Sequence, residues 1–117
     1  AGIEYFQNTG IYPINHTVVV RDAILNANPW LAEELFEMFT AAKETYLKSI
    51  RSGGDSLNSA DQALLDVAEI VGNDPLPYGV ESGMPALEAL IQFCVDQQVI
   101  PEKVDPEQVF APSTLNL

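Results

Sequence analysis

The feature that most restricts this fold is a strand-like run with nothing in the chain to pair with. Gly10-Ile11-Tyr12-Pro13-Ile14-Asn15-His16-Thr17-Val18-Val19-Val20 is rich in β-branched and aromatic residues, and its end, from Thr17, is almost continuously apolar. This predicts one buried strand near residues 15–21, starting after Pro13, which has no N–H to give to a ladder. A buried strand needs neighbours for its N–H and C=O groups. The rest of the chain reads as helix, so the reading requires partner strands further upstream or strand exchange between copies in a homo-oligomer.

The helical part has its own signals. A short helix is expected near 22–27, ending before Asn28-Pro29, because a residue preceding proline is pushed out of the α region. A long amphipathic helix follows near 29–50. Leu31, Leu35, Met38, Phe39, Ala42, Tyr46 and Ile50 recur at three- and four-residue spacing, with Glu33, Glu34 and Glu37 near the positive end and Lys43, Lys48 and Arg51 toward the other. Ser52-Gly53-Gly54-Asp55 breaks it. Asn58-Ser59-Ala60-Asp61 caps a third helix near 59–71, burying Leu64, Leu65, Ala68 and Val71. Asp74-Pro75-Leu76-Pro77-Tyr78-Gly79 is a turn-rich connection, after which a helix near 84–98 buries Leu87, Leu90, Ile91, Cys94 and Val95. A short helix near 105–110, capped by Asp105, precedes a tail. The fold class is therefore mainly α with one or few β-strands, an α+β arrangement in a single segment over 1–117.

Composition narrows the function. Seventeen Asp and Glu against five Lys and Arg give a net charge of -12, which repels nucleic-acid backbones and anionic lipid surfaces. No apolar run approaches the roughly 20 residues needed to cross a bilayer. Ala1-Gly2-Ile3 has neither an initiator Met nor the basic and apolar regions of a secretory signal, so the chain is expected to continue upstream. The single cysteine, Cys94, excludes an internal disulfide; among Ile91, Phe93 and Val95 it reads as a small buried hydrophobe. Dinucleotide, triphosphate, zinc-protease and nucleophile-elbow motifs are all missing from the sequence. The Glu33, Glu34, Glu37 set reads as a solvated helix start, not a metal cluster, and Tyr5, Phe6 and Tyr78 read as packing aromatics.

His16 is the only histidine, and imidazole is the side chain that ordinarily exchanges its proton near neutral pH. It lies at the expected strand start, where a rigid element can meet a cleft, with Tyr12 and Asn15 as polar neighbours. The Asn15-His16-Thr17 triplet also matches a glycosylation sequon, set aside here because the segment reads as buried.

The Gly10 to Arg21 stretch, followed by Asn28-Pro29-Trp30-Leu31, Ala41-Ala42-Lys43, Asp74-Pro75-Leu76-Pro77-Tyr78-Gly79 and Leu87-Glu88-Ala89-Leu90, resembles the C-terminal region of 4,5-dihydroxyphthalate decarboxylases. The match is poorest from Ser49 to Asn58. The resemblance implies the C-terminal fragment of a bilobed α/β fold of the type II periplasmic-binding-protein-like kind. The strand would then run back to a first lobe supplied by missing N-terminal sequence. It further implies a cytoplasmic enzyme that removes one carboxylate from a dihydroxylated phthalate to give protocatechuate, with a small aromatic carboxylate as ligand and no organic cofactor. His16 becomes the candidate proton donor, with Tyr12 and Asn15 orienting it or holding a ring hydroxyl. The alternative is a periplasmic substrate-binding component of an ABC transporter for a small organic or aromatic anion.

Overall fold

The computed structural model describes residues 2–53 and 57–117. It is mainly helical: α1 (Gly2–Thr9), α2 (Asp22–Ala27), α3 (Leu31–Arg51), α4 (Ser59–Val71) and α5 (Val80–Asp96), then two 3-10 turns at Pro106–Val109 and Pro112–Thr114. Two units form, Leu35–Pro77 and the combination of Ala1–Glu34 with Tyr78–Leu117.

The expected strand is absent. Residues 10–21 run without helix, turn or bend, and no strand occurs among the described residues. The physical reason is the one that made the run conspicuous: a strand exists only through a neighbour, and no described segment forms a backbone ladder with this one. Nor is the segment buried, since Val18 is 63% and Val19 90% exposed. Burial therefore does not shield the Asn15-His16-Thr17 triplet.

The first unit contains a helix that the sequence reading leaves unassigned. In α1, Glu4 lies in the first turn. The helix stops at Gly10, whose φ of 70° is a left-handed value favouring glycine and whose N–H reaches the Phe6 carbonyl at 2.7 Å. The Thr9 hydroxyl donates to the Tyr5 carbonyl and accepts from the Ile11 N–H, turning the chain outward. Helix α5 begins at Val80, earlier than the expected start near 84, and carries Pro85 inside it. Gly79 at φ 103° precedes it, and the Ser82 hydroxyl bonds the Tyr78 and Gly79 carbonyls, organising a first turn that the proline alone would not mark. At its far end the helix stops at Asp96, and Gln98 takes the left-handed φ of 58° usually left to Gly or Asn.

In the second unit, α4 starts with a full capping box. Asn58 accepts from the Ala60 and Asp61 N–H groups while Asp61 accepts from the Asn58 N–H. Helix α3 keeps its expected place, but its inward face is rotated from the predicted stripe. Leu47 and Ile50 are buried and Lys43 is nearly so, whereas Met38, Phe39 and Tyr46 are exposed. Of the predicted helix break, Gly54 and Asp55 lie outside the described residues; Ser52 and Gly53 form a turn. No described helix is long and apolar enough to cross a membrane.

Candidate functional site

The three residues singled out by the sequence sit on one short stretch of the first unit. α1 and its glycine exit deliver the chain to Tyr12, whose ring meets Phe6 edge-on at 6.1 Å between centroids. This contact leaves Tyr12 half-buried, while Asn15 and His16, three and four residues on, are exposed. Between them Ile14 turns back toward α5, where its Cδ1 would lie 3.1 Å from a Cβ added at Gly83. Gly83 is thus the small residue that lets this side chain approach, and Ile14 fixes the segment just ahead of Asn15 and His16.

The His16 imidazole has no hydrogen-bonding or ionic partner among the described residues, and the residue is exposed. It is chemically available but not oriented: no carboxylate fixes its tautomer, as it would in a preassembled acid/base pair. The same is true of the Asn15 amide. Neither of two shallow concavities includes Tyr12, Asn15 or His16. One, of about 270 Å³, lies between the start of α5 and the chain end, with Glu81 and Glu107 in its wall. The other, of about 340 Å³ in the second unit, carries Arg51 together with Asp66 and Glu69. Acidic walls disfavour a carboxylate ligand in both. No group of three or more His, Cys, Asp or Glu able to hold a metal ion occurs among the described residues.

The best-organised polar cluster lies elsewhere, and sequence reasoning missed it. The Lys43 ammonium, its side chain only 8% exposed, donates to Asp74 Oδ2 at 2.6 Å and to the Leu76 carbonyl at 3.0 Å. Asp74 Oδ1 accepts from the Leu76 N–H, and the Arg51 guanidinium donates to the Asn73 carbonyl. Tyr46 donates a 2.5 Å hydrogen bond to Asp61. That bond, then partial burial, then the Asp61 charge raise the phenol above its usual 10.0. Every cation in this cluster is already engaged by backbone or carboxylate, so its role is to brace the connection from α4 to α5. The available signal was the position of Lys43 seven and four residues before Ile50 and Leu47, on the same helix face.

No protein-family model matches the chain. Among curated proteins, a 4,5-dihydroxyphthalate decarboxylase from Comamonas testosteroni is 22% identical over 118 aligned residues, covering 98% of this chain. The chain spans only 36% of that relative's length. What these comparisons establish is a distant similarity, extending along nearly all of this chain, to about a third of a decarboxylase.

Proposed function

We propose that the chain is part of an aromatic-acid decarboxylase that converts a dihydroxylated phthalate to protocatechuate. The observation that carries this reading is the similarity to 4,5-dihydroxyphthalate decarboxylase along 98% of the chain. Because the match spans about a third of that relative, the reading assigns the remaining cleft to further polypeptide, in a two-lobed fold of the periplasmic-binding-protein-like kind.

In this scheme His16 is the proton donor. Its imidazolium protonates the ring carbon bearing the carboxylate, a para hydroxyl supporting the cation that results. The carbon–carboxylate bond then breaks, CO₂ leaves, and its electron pair restores the aromatic ring. The exposed, unpartnered imidazole supports the assignment because it leaves a nitrogen free for substrate. Asn15 and Tyr12, on the same stretch, bind a ring hydroxyl or hold the imidazole in place. The scheme uses no organic cofactor and suits a cytoplasmic enzyme.

The test is protocatechuate formation from 4,5-dihydroxyphthalate by the complete gene product that carries this chain, beside its His16→Gln variant. Glutamine retains much of the volume and hydrogen bonding but no titratable proton, so turnover is expected to fall by about 10²–10⁴ with the fold intact. An inactive parent overturns the decarboxylase reading. Equal turnover in the variant removes His16 from the mechanism and leaves the activity standing.

A further inference from the structure

The geometry points to residues 14–20 as a pairing edge, and we propose that it takes the same segment of a second copy of this chain as an antiparallel partner strand. Three independent observations meet on these seven residues. From Ile14 to Val20 no backbone hydrogen bond joins the segment to any described residue. A row of unpaired N–H and C=O groups is a template for another strand. The exposed residues on it include Val18 and Val19, β-branched side chains that suit a pleated surface and gain from being covered.

The third observation is charge, and it selects the occupant. The chain carries 17 acidic residues, yet none falls between Glu4 and Asp22, the longest acid-free run in the sequence. Two copies with a net charge of -12 repel each other wherever acidic surfaces meet. Here they can approach without opposing carboxylates. The sequence also prefers one register. Centred on Thr17, an antiparallel pair of residues 14–20 sets Ile14 opposite Val20, Asn15 opposite Val19 and His16 opposite Val18, so a β-branched residue stands in every pair and no like charges face each other. Pro13 and the start of α2 bound the ladder at its two ends. A seven-residue pair covers less surface than the roughly 1,200–2,000 Å² of stable complexes, so the association is weak and concentration-dependent.

The experiment combines sedimentation equilibrium with amide hydrogen exchange on the 117-residue chain, from low micromolar to about 1 mM. The expected result is a mass rising from 12.8 kDa toward twice that value, with exchange at residues 14–20 slowing at least about tenfold over the same range. Val18→Pro removes a central donor and Val19→Lys adds a charge to the edge. Both lie on exposed positions without backbone bonds, so both should remain folded and monomeric. A parent that stays monomeric to about 1 mM overturns the proposal. So does self-association that persists in both variants, or that leaves exchange at 14–20 unchanged.

Discussion

Residues 14–20 and residues 72–77 are both irregular stretches with a proline in or just before them, and they are held in opposite ways. In the second, both carboxylate oxygens and several backbone groups are claimed. The Gly72 N–H bonds the Ala68 carbonyl, the Asn73 carbonyl receives Arg51, Asp74 uses both carboxylate oxygens, and Leu76 uses both its N–H and its carbonyl. Pro75 is almost completely enclosed. In the first, no backbone group from Ile14 to Val20 has a protein partner among the described residues. The difference is not one of local propensity, since the 14–20 segment has the better β-formers. Side chains from α3 reach one stretch, and no described side chain hydrogen-bonds the backbone of the other.

Substitutions at three positions probe how far that bracing carries the second unit. The largest effect is expected from Asp74→Ala, which strips the nearly buried Lys43 of its carboxylate and leaves the Leu76 N–H unbonded. Breaking a fully buried pair costs several kcal/mol. With Asp74 46% exposed, a loss of about 1–3 kcal/mol in urea unfolding is the appropriate scale. If stability is unchanged, Lys43 does not brace the connection and the contrast between the two stretches loses its energetic meaning. Asn58→Ala comes next: losing the capping box should lower stability by about 1 kcal/mol, and Asn58→Ser should recover most of it.

The smallest effect belongs to Tyr46→Phe, and its signature is in the pH dependence. The folded protein raises the Tyr46 phenol above 10.0, so the stabilisation is complete below pH 10 and declines as pH rises through the higher folded value. Alkaline titration of stability should therefore show a decline in the parent that Tyr46→Phe lacks. Identical curves would mean that the Asp61 contact does not persist in solution.

These contrasts also explain what was legible in the sequence. The place of α3 could be read because its periodicity spans several turns, and the start of α4 because Asn58 and Asp61 supply both halves of a capping box locally. The inward face of α3 was not legible. Met38, Phe39 and Tyr46 fit an apolar stripe as well as Leu47 does, and what turns Lys43 inward is Asp74, 31 residues away. The run ending in Val18-Val19-Val20 misled for a related reason. Its composition states a preference for extended backbone, but composition cannot supply the neighbour that makes extension a strand. The candidate residues Tyr12, Asn15 and His16 could be picked out as chemistry. The placing of Tyr12 against Phe6 and of Ile14 against Gly83 could not, because no local pattern announces those contacts.

Gly79 shows how one backbone position can decide what unfolds together. A Cβ there would stand 2.5 Å from the Leu117 carbonyl oxygen, and the residue's φ of 103° already disfavours any side chain. The first turn of α5 and the last residues of the chain are thus neighbours at a spot with no room for adjustment. The 3-10 turn at Pro106–Val109 packs on the same helix. Fraying of residues 106–117 therefore uncovers the start of α5 as well, where Val80 lies buried. Amide hydrogen exchange is therefore expected to show the start of the helix and its trailing turns opening together rather than the turns peeling first.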